Sequence, residues 1–174
     1  MQDSRLLIAG TISGLNNQLS GFSFASNNIS TSAATLAPYS IDMQPQNLNG
    51  LTSNSGADWG EGTQLFLKYL LTTDQNGAAV NSGVTSLIIN LLAATNAAMT
   101  SGVLTLASVT ATVLTAGSYG YALIPPQIGS VGVEFLGASF QAMGAAATQG
   151  AIVCEITNVI DDPKKYFKSG FSVY

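Results

Sequence analysis

Between residues 63 and 160 the chain alternates apolar runs with short polar interruptions. In TQLFLKYLLT (63–72), Leu65, Leu67, Tyr69 and Leu71 fall on one face of an extended chain and Gln64, Lys68 and Thr72 on the other, which predicts a strand with one buried face. DQNG (74–77) ends that strand with Asn-Gly turn chemistry, and NSG (81–83) prolongs the connection. Further strands are predicted at SLIINLLAA (86–94), GVLTLASV (102–109), TATVL (110–114), YGYALIP (119–125), VGVEFLGASF (131–140) and GAIVCEITNVI (150–160). Each is rich in Val, Ile, Leu, Thr or aromatics and bounded by Gly, Asn, Ser or Pro. Pro125 and Pro126 lack N–H donors and predict a strand exit into a corner. Residues 87–99 would also suit a buried helix, because periodicity does not separate the two in a continuous apolar run; strand is the preferred reading.

Residues 1–57 are dominated by Ser, Asn, Gln, Thr and Gly, with apolar islands at 6–8, 22–24 and 39–43. These predict one or two short strands among long polar loops. Seven or eight strands without a persuasive amphipathic helix make the chain an all-β sandwich or barrel. Its 174 residues suit a single domain: a polar N-terminal arm with loops (1–57), a strand core (58–160) and a tail (161–174).

Charge changes the picture more than hydropathy does. Charged residues make up 8% of the chain, against about 25% in an ordinary domain, and none occurs in the 59 residues between Asp74 and Glu134. The solvated surface must therefore be built from Ser, Thr, Asn, Gln and Gly, which suits a protein that works inside an assembly. Net charge of -4 argues against nucleic acid, whose affinity comes from clustered Lys and Arg. Residues 84–116 are uncharged and long enough to span a bilayer. Asn90, Asn96, Gly102 and many Ser and Thr, with no flanking Lys or Arg, favour soluble strands there. The opening MQDSRLLIAG has too short an apolar run and no basic leader for a signal peptide.

Candidate chemistry is sparse. The chain has no histidine, which removes the commonest general base and metal ligand together with every Ser-His or Cys-His pair. The single Cys154, in an apolar alternating run, is expected to be a buried, inert thiol. Asp58 and Glu61 bracket Trp59 in ADWGEG without a calcium-loop ligand cluster, and Asp161-Asp162 precede Pro163; a polar turn and a solvated strand end account for them. GTISGLNNQLSG lacks the Lys-Ser/Thr element of a phosphate loop. Neither an enzyme nor a cofactor is expected. Glu134, inside an apolar run, should face solvent or a partner cation.

The final DDPKKYFKSGFSVY holds Lys164, Lys165 and Lys168, three of the five basic residues, among Tyr166, Phe167, Phe171 and Tyr174. Aromatics interleaved with lysines can stack bases. Two aspartates almost neutralise the segment, and residues 1–160 carry two basic against seven acidic residues, so a near-neutral aromatic strap is the better description.

At this point the ordered pieces SIDM (40–43), DWGEGTQLFLKYLLTTD (58–74), LTAGSYGYALIPP (114–126), EFLGASF (134–140), GAIVCEI (150–156) and KYFKSGF (165–171) resemble the capsid cement, or decoration, proteins of tailed bacteriophages, in particular the Bordetella-phage type. The resemblance covers about two thirds of the chain. It implies a jelly-roll-like antiparallel β-sandwich with long polar N-terminal loops and an extended C-terminal tail, without catalysis. The implied place is the virion's outer capsid surface, after synthesis in the host cytoplasm. The implied partners are a major capsid protein of the HK97-like type and the chain itself, as a dimer or trimer on a local symmetry axis; no nucleic acid and no membrane. Two departures stand out: Glu134 replaces a residue that is often basic in the family, and residues 9–38 are longer and richer in Ser and Asn. Leu6, Leu7, Glu134, Tyr166, Phe167, Phe171 and Tyr174 are the candidate capsid or subunit contacts. The competing reading is a carbohydrate-binding β-sandwich of a phage tail or cell surface, with Trp59, Tyr119 and Tyr121 as stacking residues. An outer-membrane barrel would need longer alternating strands and a signal peptide.

Overall fold

A computed structural model describes residues 7–13, 18–42, 64–125 and 135–158. Eleven strands and one helical turn occur among them: β1 (Leu7–Ala9), β2 (Thr11–Ser13), β3 (Gln18–Ser20), β4 (Phe22–Ser23), α1 (Phe24–Asn27), β5 (Thr35–Asp42), β6 (Phe66–Thr72), β7 (Ser86–Ala94), β8 (Leu104–Ala111), β9 (Tyr119–Leu123), β10 (Phe135–Met143) and β11 (Ala151–Thr157). The first sheet runs β1-β11-β6-β9, with β4 also on β11, and the second runs β5-β10-β7-β8. Every pairing is antiparallel.

The pairing partners nest. β7 pairs with β8, β6 with β9, β5 with β10, and β1 with β11. A long antiparallel ribbon folded over on itself gives this connectivity, with successive pairs of the ribbon falling in alternate sheets: β7-β8 and β5-β10 in the second, β6-β9 and β1-β11 in the first. It is the jelly roll. Two sheets wrapped this way bury their facing residues in one layer, and the alternation along each strand supplies them. Leu67, Tyr69 and Leu71 of β6 and Ile152, Cys154 and Ile156 of β11 face Leu87, Ile89 and Leu91 of β7 and Leu136, Ala138 and Phe140 of β10 in one cluster. Phe22 of the first sheet meets Phe140 of the second with ring centroids 5.7 Å apart. The period of two in residues 63–72 thus has the expected consequence. Residues 86–94 form a strand over their whole predicted length and no helix.

Three expectations change. The polar N-terminal zone carries five strands among its described residues, against the one or two anticipated. Three-residue islands suffice there because β1 and β4 share one edge of β11 and borrow its buried environment, while β5 is an edge strand that tolerates Pro38. GVLTLASV and TATVL are not two strands but one, β8, whose register shifts opposite Leu91 and Leu92 so that the chain stays in the sheet. Finally, β10 continues beyond Phe140 to Met143, because Ala142 lies buried in line with Phe140 and Ala138.

Between β1 and β4 the chain leaves the sheet as the β2-β3 hairpin and returns. Glycine stands at both crossings. Gly10 has φ +103, and a Cβ there would lie 2.8 Å from the Ser20 carbonyl; one on Gly21 would lie 2.6 Å from Thr72 Oγ1. The DQNG turn is held by its first residue. Asp74, nearly buried, accepts hydrogen bonds at Oδ1 from the backbone N–H of Asn76 and Ala78, both 2.9 Å.

Two stability changes follow. Phe140→Ala should lower the unfolding free energy by about 3–5 kcal/mol in urea titration, while Val113→Ala, at an exposed site, should stay within about 0.5 kcal/mol of the parent. Asp74→Ala leaves two turn N–H groups unpaired and should cost about 1–3 kcal/mol in the same titration.

Candidate interaction surfaces

The sandwich presents two outward faces, and cross-strand register shows which residues share each. On the second sheet the outward rows are Asp42, Phe135 and Ala94; Ser40, Gly137, Leu92 and Thr105; Leu36, Ser139, Asn90 and Ser108; Gln141, Ile88 and Thr110; and Met143 with Ser86. Asp42, at one corner, is the single charged residue in these rows. The rest is hydroxyl, amide, aliphatic and glycine, with Phe135 and Met143 at the two ends of β10.

This face is fixed in shape. Gln141 Nε2 donates to the Thr31 carbonyl at 2.9 Å, and Asn90 Nδ2 donates to Ser139 Oγ at 3.5 Å. At one end the β7-β8 connection folds back over it. Met99, with φ +54, packs with Leu92, Ala94 and Phe135, and its thioether lies where a Cβ on Gly137 would stand. Asn96 ties that turn together, accepting at Oδ1 from the N–H of Thr100 at 2.9 Å and of Ser101 at 3.3 Å. The remainder, around Thr105, Ser108 and Thr110, is open to solvent.

The first sheet's outward face differs in kind. Its rows are Leu123, Phe66 and Thr157; Tyr121, Lys68, Glu155 and Leu7; Tyr119, Leu70 and Val153; and Thr72, Ala151 and Ser23. Large apolar side chains dominate. Lys68 Nζ and a Glu155 carboxylate oxygen sit 3.4 Å apart in the middle, with their side chains only 13% and 15% exposed. The half near β1 and β4 is covered, as buried Val153, Ala151 and Leu7 show. The half near β9 is open: Tyr121 is 49% and Leu123 50% exposed, and Tyr121 meets the Phe66 ring edge-on at 5.8 Å.

Of the contact residues expected from sequence, Leu7 lies in β1 and is buried within the single chain. Leu6, Glu134, Tyr166, Phe167, Phe171 and Tyr174 lie outside the described residues, as do Trp59, Asp58, Glu61, Asp161 and Asp162. Tyr119 and Tyr121 share the outward face of β9. The open face of the second sheet was not singled out from sequence. Its signal was the polar member of each alternating pair: Asn90 in β7, Ser108 and Thr110 in β8, Gln141 in β10.

Cys154 is fully enclosed between the sheets. Burial, and then the negative charge of neighbouring Glu155, push its thiol far above the ordinary range; burial, and then Cys154, also raise Tyr69. A thiol held protonated in this way is neither nucleophile nor metal ligand at neutral pH. Among the described residues no group of three His, Cys, Asp or Glu side chains could hold a metal ion, and no helix is long and apolar enough to cross a membrane.

No protein-family model matches the chain, and no curated protein matches its sequence.

The thiol's raised pKa has a signed consequence. Folded Cys154 keeps a proton that the unfolded thiol gives up above about pH 8.5, so its contribution to stability is complete below that pH and declines as pH rises above it. Denaturation midpoints should fall between pH 8.5 and 9.5, by up to about 1.4 kcal/mol per pH unit, and the profile of Cys154→Ala should be flatter over that window. In the parent protein, a disulfide-exchange reagent at pH 8 should label the thiol only after unfolding.

Proposed function

We propose that this chain is a virion structural protein that binds the outside of an icosahedral phage shell and cements neighbouring capsomers of the major capsid protein against internal DNA pressure. The observation that carries the reading is the open part of the second sheet's outward face, where exposed Thr105, Ser108 and Thr110 of β8 stand beside half-buried Ile88 and Asn90 of β7 on a jelly roll. Jelly rolls also serve as lectin and cupin domains, so the fold alone selects no role. The resemblance to the cement proteins of tailed phages adds to it. Five of the six quoted pieces overlap β5, β6, β9, β10 and β11, strands of both sheets, and KYFKSGF lies outside the described residues.

The physics of cementing suits such a face. A shell under outward stress opens at capsomer seams, and a stiff domain across a seam raises the cost of separation without any chemistry. Exposed ion pairs would add at most about 1 kcal/mol each and fade with salt. Close-packed uncharged groups are indifferent to ionic strength. Size then demands more than one contact. Four strands about 4.8 Å apart, each of some eight residues at about 3.4 Å, make a face of roughly 500 Å², below the roughly 800 Å² per partner of a standard interface. A homo-oligomer, dimer or trimer, supplies the remainder through avidity.

The test is co-sedimentation with empty expanded shells of the parent phage. The expected outcome is saturable binding in a fixed ratio to the major capsid protein, greater resistance of decorated shells to heat, and loss of binding in a Ser108→Asp, Thr110→Asp variant that unfolds at the parent temperature. Equal heat resistance with and without the protein would reject the cementing role. Tyr121, half exposed on β9, supports the second reading, carbohydrate binding. Glycan binding abolished by Tyr121→Ala, with no shell association, would put that reading first.

A further inference from the structure

We propose that the open half of the first sheet's outer face, at Phe66, Tyr121 and Leu123, is the docking site for the chain's own residues 159–174. The inference is independent of the cement reading. It begins from the first sheet's outer face, whose β9 side leaves Tyr121 and Leu123 about half exposed beside Phe66. Large apolar side chains in adjacent register positions favour being covered.

Position identifies the cover. β11 ends at Thr157, which lies directly across from Phe66, which in turn lies directly across from Leu123. The chain therefore leaves the sandwich at the row that carries the patch. After Asn158, Val159 and Ile160 comes DDPKKYFKSGFSVY, which opens with Asp-Asp-Pro, whose turn chemistry suits a reversal of direction, and continues with Tyr166, Phe167, Phe171 and Tyr174. Eight residues, 158–165, lie between Thr157 and Tyr166. Extended, they span roughly 30 Å, whereas β11 and β9 stand only two strand spacings, about 10 Å, apart. Reach imposes no strain.

Chemistry agrees with position. On this face Lys68 pairs with Glu155, both side chains mostly covered, while the exposed side chains of the patch, Tyr121 and Leu123, offer an incoming segment apolar and aromatic contact. Lys164, Lys165 and Lys168 can then remain in water while the rings pack, each stem lying along the apolar surface. A tether of this length gives the segment an effective concentration in the millimolar range. At micromolar protein the chain's own residues outcompete those of any neighbour, which decides the occupant in favour of the same chain.

The experiment places a photoreactive benzoylphenylalanine at Tyr121 in the otherwise unaltered full chain, with the same probe at exposed Val113 as control. After irradiation, mass spectrometry should find cross-links from position 121 to residues 164–174 at monomer mass, and none of these from position 113. A second measurement is tryptic cleavage after Lys164, Lys165 and Lys168, which Leu123→Ser and Phe167→Ser should each accelerate about tenfold without a change in far-ultraviolet circular dichroism. Cross-links confined to chain pairs would overturn the proposal, since they would give the site to another subunit. Absence of cross-links to this segment, equal cross-linking from both positions, or unchanged cleavage would overturn it outright.

Discussion

Enclosure of β11 is the constraint on which the rest of the structure depends. This strand is hydrogen-bonded on both sides, to β6 along one edge and to β1 and β4 in tandem along the other. It is also buried on both faces over Ala151–Cys154, toward the second sheet through Ile152 and Cys154 and away from it through Ala151 and Val153. Its β1 and β4 neighbours come from the opposite end of the described chain, so the first sheet is complete only when distant segments have met. The nested pairing sets an order for that meeting. β7 and β8 are joined by a short connection, while each outer pair of the ribbon encloses a longer loop and becomes cheap to close only after the pair inside it has formed. Mean contact separation is large in such a topology, and slow folding follows from it.

The chain's shortage of charge acquires a structural meaning beside this architecture. A sandwich must be wetted on its two outer faces, and ordinary domains do so with Lys and Glu. Here the second sheet uses Thr105, Ser108, Thr110 and Asn90, whose short side chains have less rotamer entropy to lose on burial than Lys or Glu. Hydroxyl and amide groups also carry no ionic desolvation cost. A face so made is solvated well enough when free and inexpensive to bury.

Much of the core was legible in the sequence and most of the candidate surface was not, for physical reasons. β6 showed itself through alternation at Leu67, Tyr69 and Leu71, and the turn after it through Asn76-Gly77. β7 was bounded by Ser and Thr closely enough that its ends could be read. β5 was hidden, because TLAPYSID combines Pro38 with small polar residues and owes its strand to β10 rather than to its own propensity. The outward rows are a matter of pairing, and nothing local to Ser108 or Thr110 says that Asn90 and Ile88 stand beside them. In SLIINLLAA the outward Ile88 and Leu92 are as apolar as the inward Leu87 and Leu91, so alternation could not reveal which side meets water. The island that holds Leu7 is ambiguous for a similar reason: three apolar residues read alike whether they meet a partner or their own sheet.

Lys68 and Glu155 show how so apolar a face keeps its register. Opposed on β6 and β11, they are the only oppositely charged partners in that ladder. A slip of one residue would set Lys68 against Cys154 or Ile156 and turn every inward side chain of one strand outward. Apolar neighbours alone discriminate weakly against a slip of two, since Leu, Val and Ile would still face one another. A two-residue slip would instead place Lys68 beside Val153 or Thr157, leaving two mostly covered charges without each other, a cost of several times what the pair itself contributes. The pair therefore acts less as a stabiliser of the native sheet than as a penalty on its nearest alternatives, and it explains why two of the chain's few charges are placed where the surface is otherwise most apolar.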